Sequence, residues 1–189
     1  MENINKKIPQ KKSVALLVLL SIITIGIYPA IWYIKRVTEL NNLNTTKKLG
    51  KTVPIILLIL EIISILVFIA LLAIIPLLFL IPSLAIILAG TITYVSWGIY
   101  ILAAILFLIA AFNFRSLINE VLSRKGTNRK ISILFTIFFN YLYLQYEINR
   151  TIDDREYAPR TGPGIWFVIY LLIILYYLYV LIIPLFTNS

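Results

Sequence analysis

Apolar positions along the chain gather into four blocks: 14–34, 53–114, 131–146 and 165–186. Charged and polar stretches separate them. Runs this long and this poor in charge predict helices embedded in hydrocarbon. A helix needs roughly 20 residues to cross about 30 Å of bilayer, so the second block is too long for one crossing. Ile81-Pro82-Ser83 is the natural place to turn, because proline disfavours helix in the residue before it. The reading is therefore two spans, 53–81 and 84–113, with Pro76 kinking the first. The second continues as a polar helical extension, 115–125. Glu120 and Arg124 sit one turn apart on it, and Gly126 marks its stop. In the fourth block Gly162-Pro163-Gly164 breaks the chain before a last span, 164–186, with Trp166 at one interface.

Composition supports a lipid environment. Of 189 residues, 61% are apolar and 13% charged, more apolar surface than a soluble domain of this length can bury. Cysteine and histidine are absent, which removes the usual thiol nucleophile, the commonest general base and the commonest transition-metal ligand. We therefore expect no enzyme, no cofactor and no metal site. The net charge of +9 does not point to nucleic acid, because the basic residues flank apolar runs, where they orient a membrane protein. No small-residue cleavage site ends the first block, so we expect it to be retained rather than removed as a signal.

The positive-inside rule separates two topologies. If all blocks cross, giving five spanning helices, the 17 Lys and Arg divide 10 to 7 between the two sides. If blocks one and three return to the side they came from, all 17 share the cytoplasmic side. The expected fold is thus an all-α membrane protein with about three full spans and two re-entrant or interfacial segments. The N-terminus is cytoplasmic and the C-terminus outside. Its organisation is a basic tail, 1–12, and one membrane-embedded domain, 13–189. Gly26 and Pro29 supply the break in block one: glycine frees the backbone and proline removes a donor.

Blocks one and three also resemble each other. A shift of 113 positions lays Tyr28 on Tyr141, Tyr33 on Tyr146 and Thr38 on Thr151, so 14–46 and 131–153 read as two copies of one motif. The first copy reads Leu-Ser-Ile-Ile-Thr-Ile-Gly-Ile-Tyr at 20–28, Trp-Tyr-Ile-Lys at 32–35 and Glu-Leu-Asn at 39–41. It resembles the signature of a family of small prokaryotic membrane proteins, the domain of unknown function 4234. Pro29 departs from that pattern, which more often has a small residue there. The second copy, 133–153, is degenerate, with Phe139 in place of the glycine and Gln145 in place of the tryptophan. The resemblance implies a prokaryotic inner-membrane protein and no assigned activity.

Three groups of residues are candidates for function. Gly26, Tyr28, Pro29, Trp32 and Tyr33 form the motif break. Glu61 is the one acid inside an apolar block; with Ser64, Ser96 and Tyr100 it is a candidate intramembrane polar site, because a charge there is costly. Its competing reading is a carboxylate at the interface. Lys47, Lys48, Lys51, Arg124, Lys125, Arg129 and Lys130 are candidate contacts for anionic lipid headgroups. Small residues such as Ala85, Ala89, Ser96 and Ala103 suit close helix packing. The expected function is an accessory or scaffold protein whose partners are the bilayer, another copy or another membrane protein. The alternative is a small transporter or channel that uses Glu61 and the polar positions from Thr91 to Tyr100.

Overall fold

The computed structural model describes residues 9–43, 45–155, 157–159, 162, 165, 166, 168, 169 and 172. Most of the basic tail and nearly all of the expected last span, 164–186, lie outside the described residues. Among the described residues the regular structure is helical: α1 (Val14–Ile23), α2 (Ile27–Asn41), α3 (Thr52–Ile74), α4 (Leu77–Leu80), α5 (Pro82–Arg124) and α6 (Ile133–Ile152).

Two of these, α3 and α5, are long and apolar enough to cross a membrane. The core helix of a soluble protein would pass the same test but would be mostly buried. Here 11% and 22% of the most apolar windows of α3 and α5 are buried. Large side chains such as Leu66, Phe68, Ile87 and Trp97 stand outward on both helices, which favours a lipid surrounding. The two helices pack against each other, and α5 buries small residues, among them Ala85, Ser96, Ala103 and Ala110, that let neighbouring helices approach closely.

Their connection differs from expectation. Pro76 ends the first long helix instead of kinking it, so α3 stops at Ile74 rather than near position 81. A single turn, α4, then leads to Pro82, which opens α5 as its first residue. Proline lacks a donor, and at the first helical position that donor would have been unpaired anyway.

Block one is two helices joined by a tight reversal. Ser13 caps α1, its hydroxyl accepting from the Leu16 N–H. At the other end the Ile25 N–H bonds the Ile22 carbonyl and the Gly26 N–H bonds the Ser21 carbonyl. This is a Schellman closure, with Ile25 in the left-handed region at φ 49° and Gly26 at φ 90°. Both ends of the α1–α2 hairpin then meet. Gln10, just before α1, donates its N–H to Glu39 and accepts from Arg36, both near the end of α2.

Block three repeats the plan. Ser132 caps α6, and Asn140 breaks it at φ 44°, ψ −125°. Ile131, just before α6, is held by Asn119 and Arg115 of α5. Thr151, at its end, is held by Lys125, just past the end of α5. Block three therefore leaves and rejoins α5 at the same end.

Candidate functional site at the junction of the two broken segments

The tip of the α1–α2 hairpin satisfies its own donors. The Ile27 N–H bonds the Thr24 carbonyl, and the Tyr28 N–H bonds the Thr24 hydroxyl at 2.9 Å. The third helical position is Pro29, which has no N–H. The first-turn donors that a helix start normally leaves open are thus either bonded or absent. Pro29 completes that closure.

Below the tip, α2 carries an aromatic and charged core. Trp32 and Tyr33 are fully buried and pack edge-on, ring centres 5.0 Å apart; Phe114 of α5 lies 4.8 Å from Tyr33. The Trp32 indole donates to Oε1 of buried Gln145 at 2.9 Å. The same oxygen accepts from Arg36 Nε at 3.1 Å and Nη2 at 2.7 Å, and the Gln145 amide nitrogen donates to Asn149 at 2.7 Å. Arg36 is itself fully buried and pairs with Glu39. A buried charge is tolerated only when paired and hydrogen-bonded, and this network supplies both.

The network grips the segment before α1. Besides the Arg36 and Glu39 bonds to Gln10, Asn149 reads both backbone groups of Lys12, accepting from its N–H at 3.2 Å and donating to its carbonyl at 2.7 Å. Lys11 pairs with Asp153 at 2.7 Å. Burial, and then the nearby charge of Arg36, pushes the Lys12 ammonium below its ordinary range. Arg36, Asn140 and Asn149 escape notice in the sequence as site residues. The signal that could have found them is the shift of 113, which lays Trp32 on Gln145 and Arg36 on Asn149.

Glu61 faces the same tip. A Cβ added to Gly26 would lie 3.4 Å from its Oε2. Among the described residues no side chain pairs with this carboxylate. Ser64 and Ser96 do not join it: each hydroxyl bonds the carbonyl one turn back in its own helix, as do those of Thr91 and Thr93. Tyr100 is half exposed at 50%. The structure therefore brings Glu61 to Gly26 and does not assemble the polar path expected between Thr91 and Tyr100.

Most of the basic candidates are occupied within the protein. Lys47 bonds Ser116, and Lys48 bonds the carbonyls of Asn41 and Leu43. Arg124 pairs with Glu120, Lys125 with Asp154, and Arg129 bonds the Ala158 carbonyl. Lys130 is exposed. Lys51 is exposed, and its ammonium has no partner among the described residues. Asn41, from the first motif copy, clamps the loop that carries these lysines through paired bonds with the Leu49 backbone. Glu120, on the polar extension of α5, accepts from the Thr46 N–H and hydroxyl, the Lys47 N–H and Arg124. The Thr46 N–H above all, with the other donors, holds its carboxyl down at about 2.

Among the described residues no group of three acidic, cysteine or histidine side chains could hold a metal. Compared with family models, with curated proteins and with solved structures, the chain matches none.

Proposed function

We propose that the chain is a non-enzymatic integral protein of the cytoplasmic membrane with an accessory or scaffold role. In this reading α3 and α5 cross the bilayer, a third span lies near the C-terminus, and both broken segments enter from the cytoplasmic side and return to it. One observation carries the topology: Gln10 meets Arg36 and Glu39, while Ile131 and Thr151 both meet the same end of α5. The ten residues of α1 reach about 15 Å, half the hydrocarbon thickness, so the tip at Gly26 lies near mid-bilayer. A tip with its donors closed suits that depth, where unpaired backbone groups cost several kcal/mol each. The 43 residues of α5 reach about 64 Å, so its polar end projects into the cytoplasm. The resemblance to the domain of unknown function 4234 accords with this reading and adds no activity.

Topology is tested by single cysteines in a chain that has none of its own. Asn5, Lys51, Asn128 and Ser83 are substituted one at a time, and intact cells receive a membrane-impermeant maleimide. We expect labelling at Ser83 alone. Labelling at Asn5 from outside would instead make block one a kinked full span.

Glu61, beside the hairpin tip and without a partner among the described residues, supports a second reading, a small transporter or channel in which this carboxylate carries a proton or cation at depth. Flux into liposomes that Glu61→Gln abolishes would establish it. Absence of flux in the wild type would leave the accessory role.

A further inference from the structure

We propose that a cleft beside the first turn of α3 binds the phosphate of an anionic phospholipid headgroup. The inference rests on the membrane reading above, in which the start of α3 lies at the cytoplasmic interface.

The cleft holds about 380 Å³, within the ~300–1,000 Å³ of small-ligand sites. Of its lining residues, Lys47, Lys48, Thr52 and Asn113 are exposed, whereas Val53 is half-buried and Phe114 is buried. That order, cationic and polar outside and apolar within, is the order of a lipid from headgroup to acyl chain. A second cleft, of about 310 Å³ between Leu40 and Ile148, is lined mainly by apolar side chains.

Its polar groups are set for an anion. An ammonium has three donors. Lys47 uses one on Ser116 and Lys48 uses two on carbonyls, so both are held in place with donors to spare. The Thr52 hydroxyl and the Asn113 amide have no hydrogen-bond partner among the described residues. The same holds for the N–H groups of Thr52 and Val53, whereas Pro54 has none and Ile55 bonds the Lys51 carbonyl at 3.0 Å. No side chain caps α3 and no acid stands in its first turn, so the positive end of the helix faces the cleft uncompensated. No acidic residue lines the cleft. Nearby Glu120 is turned to the Thr46 and Lys47 backbone and to Arg124. Spare ammonium donors beside an uncapped helix start are what separate this place from a basic surface in general.

The test uses the full chain in neutral detergent micelles, to which phosphatidylglycerol, phosphatidylcholine or inorganic phosphate is added at equal concentration. Thermal unfolding reports binding to the folded form. We expect phosphatidylglycerol to raise the melting temperature, with an apparent affinity at least tenfold above phosphatidylcholine, and inorganic phosphate to do nothing. Thr52→Asp adds a negative charge at the helix start, where it favours the helix. This variant should melt no lower than the wild type yet lose the phosphatidylglycerol response at least tenfold. Equal responses to the two lipids, an equal response to inorganic phosphate, or a response that survives in Thr52→Asp would overturn the proposal. Failure of the membrane reading would appear separately, in the cysteine-labelling pattern.

Discussion

Trp32 and Gln145 stand 113 residues apart, the same shift that lays Tyr28 on Tyr141, and they bond each other: the indole N–H of one meets the amide oxygen of the other at 2.9 Å. Gln145 is thus the acceptor for the residue it falls on under that shift. A second tryptophan there would bring two donors and no acceptor to Arg36. Glutamine at position 145 supplies the acceptor that the junction uses.

Gln145→Leu should be among the most damaging single changes in the chain. It would leave the Trp32 indole and two Arg36 donors buried without that acceptor, at roughly 1–3 kcal/mol for each orphaned donor, while the Arg36 charge keeps its pair with Glu39. Gln145→Glu restores acceptors and should be far milder. Thermal unfolding in micelles compares the two; equal stability of the leucine variant and the wild type would show that the network is not needed.

The closure of the hairpin tip makes a prediction that reverses the usual helix rule. Alanine is a better helix former than proline. Pro29→Ala should nevertheless destabilise the protein in lipid nanodiscs, because it adds an N–H with no partner at depth. Thr24→Val should do the same by freeing the Tyr28 N–H, whereas Thr24→Ser should be tolerated. An unchanged melting temperature for Pro29→Ala would mean that water reaches the tip.

Gly26 and Glu61 should be coupled. Gly26→Ala forces a side chain into the left-handed region, at about 1–2 kcal/mol, and brings a Cβ against the Glu61 carboxylate. Glu61→Ala should relieve part of that cost and leave the backbone part. A double-mutant cycle reads the difference, and strict additivity would separate the two residues.

Acid should loosen the loop that Glu120 holds. The Glu120 carboxyl is held down in the folded protein, from the ordinary 4.5 to about 2. A depressed carboxyl stabilises the fold above its unfolded value and loses that contribution as pH falls toward its folded value. Stability should therefore drop between about pH 4.5 and 2. In Glu120→Gln this part of the acid dependence should be missing, while the neutral-pH melting temperature is already lower. Unfolding curves of both proteins across that range check it.

The parts of this fold whose causes are local are legible in the sequence. The long apolar helices come from run length, the end of α5 from Gly126, and the reversal in block one from Gly26, where the chain takes φ 90°. The break in block three is less legible, because Asn140 carries the left-handed turn and asparagine signals it more weakly than glycine. The end of α3 is expected too late, since a proline can either kink a helix or end it, and here the second proline at position 82 starts a new helix so soon after Pro76 that the first one stops. The candidate site is harder still to read. Arg36 resembles any juxtamembrane cation until Gln145, 109 residues away, packs beside it. Glu61 stands apart in composition, but only the folded hairpin shows that it faces Gly26. Lys47 and Lys48 look like free surface charge, and the fold uses them to fasten the loop to the Ser116 hydroxyl of α5 and to the carbonyls of Asn41 and Leu43.

The link between α3 and α5 has a consequence for how such a chain reaches its membrane. Residues 75–81 read Ile-Pro-Leu-Leu-Phe-Leu-Ile, with no charged side chain. If the two broken segments dip in and withdraw, these are the residues that pass through the oil when α3 and α5 insert as a pair. Translocating a charge through the bilayer centre is the costly step of membrane insertion, about 2.5–3.5 kcal/mol for each Lys, Arg or Asp. In the proposed topology that step would carry no ion, and the pair would partition as an oily hairpin whose basic flanks stay on the side on which they were made.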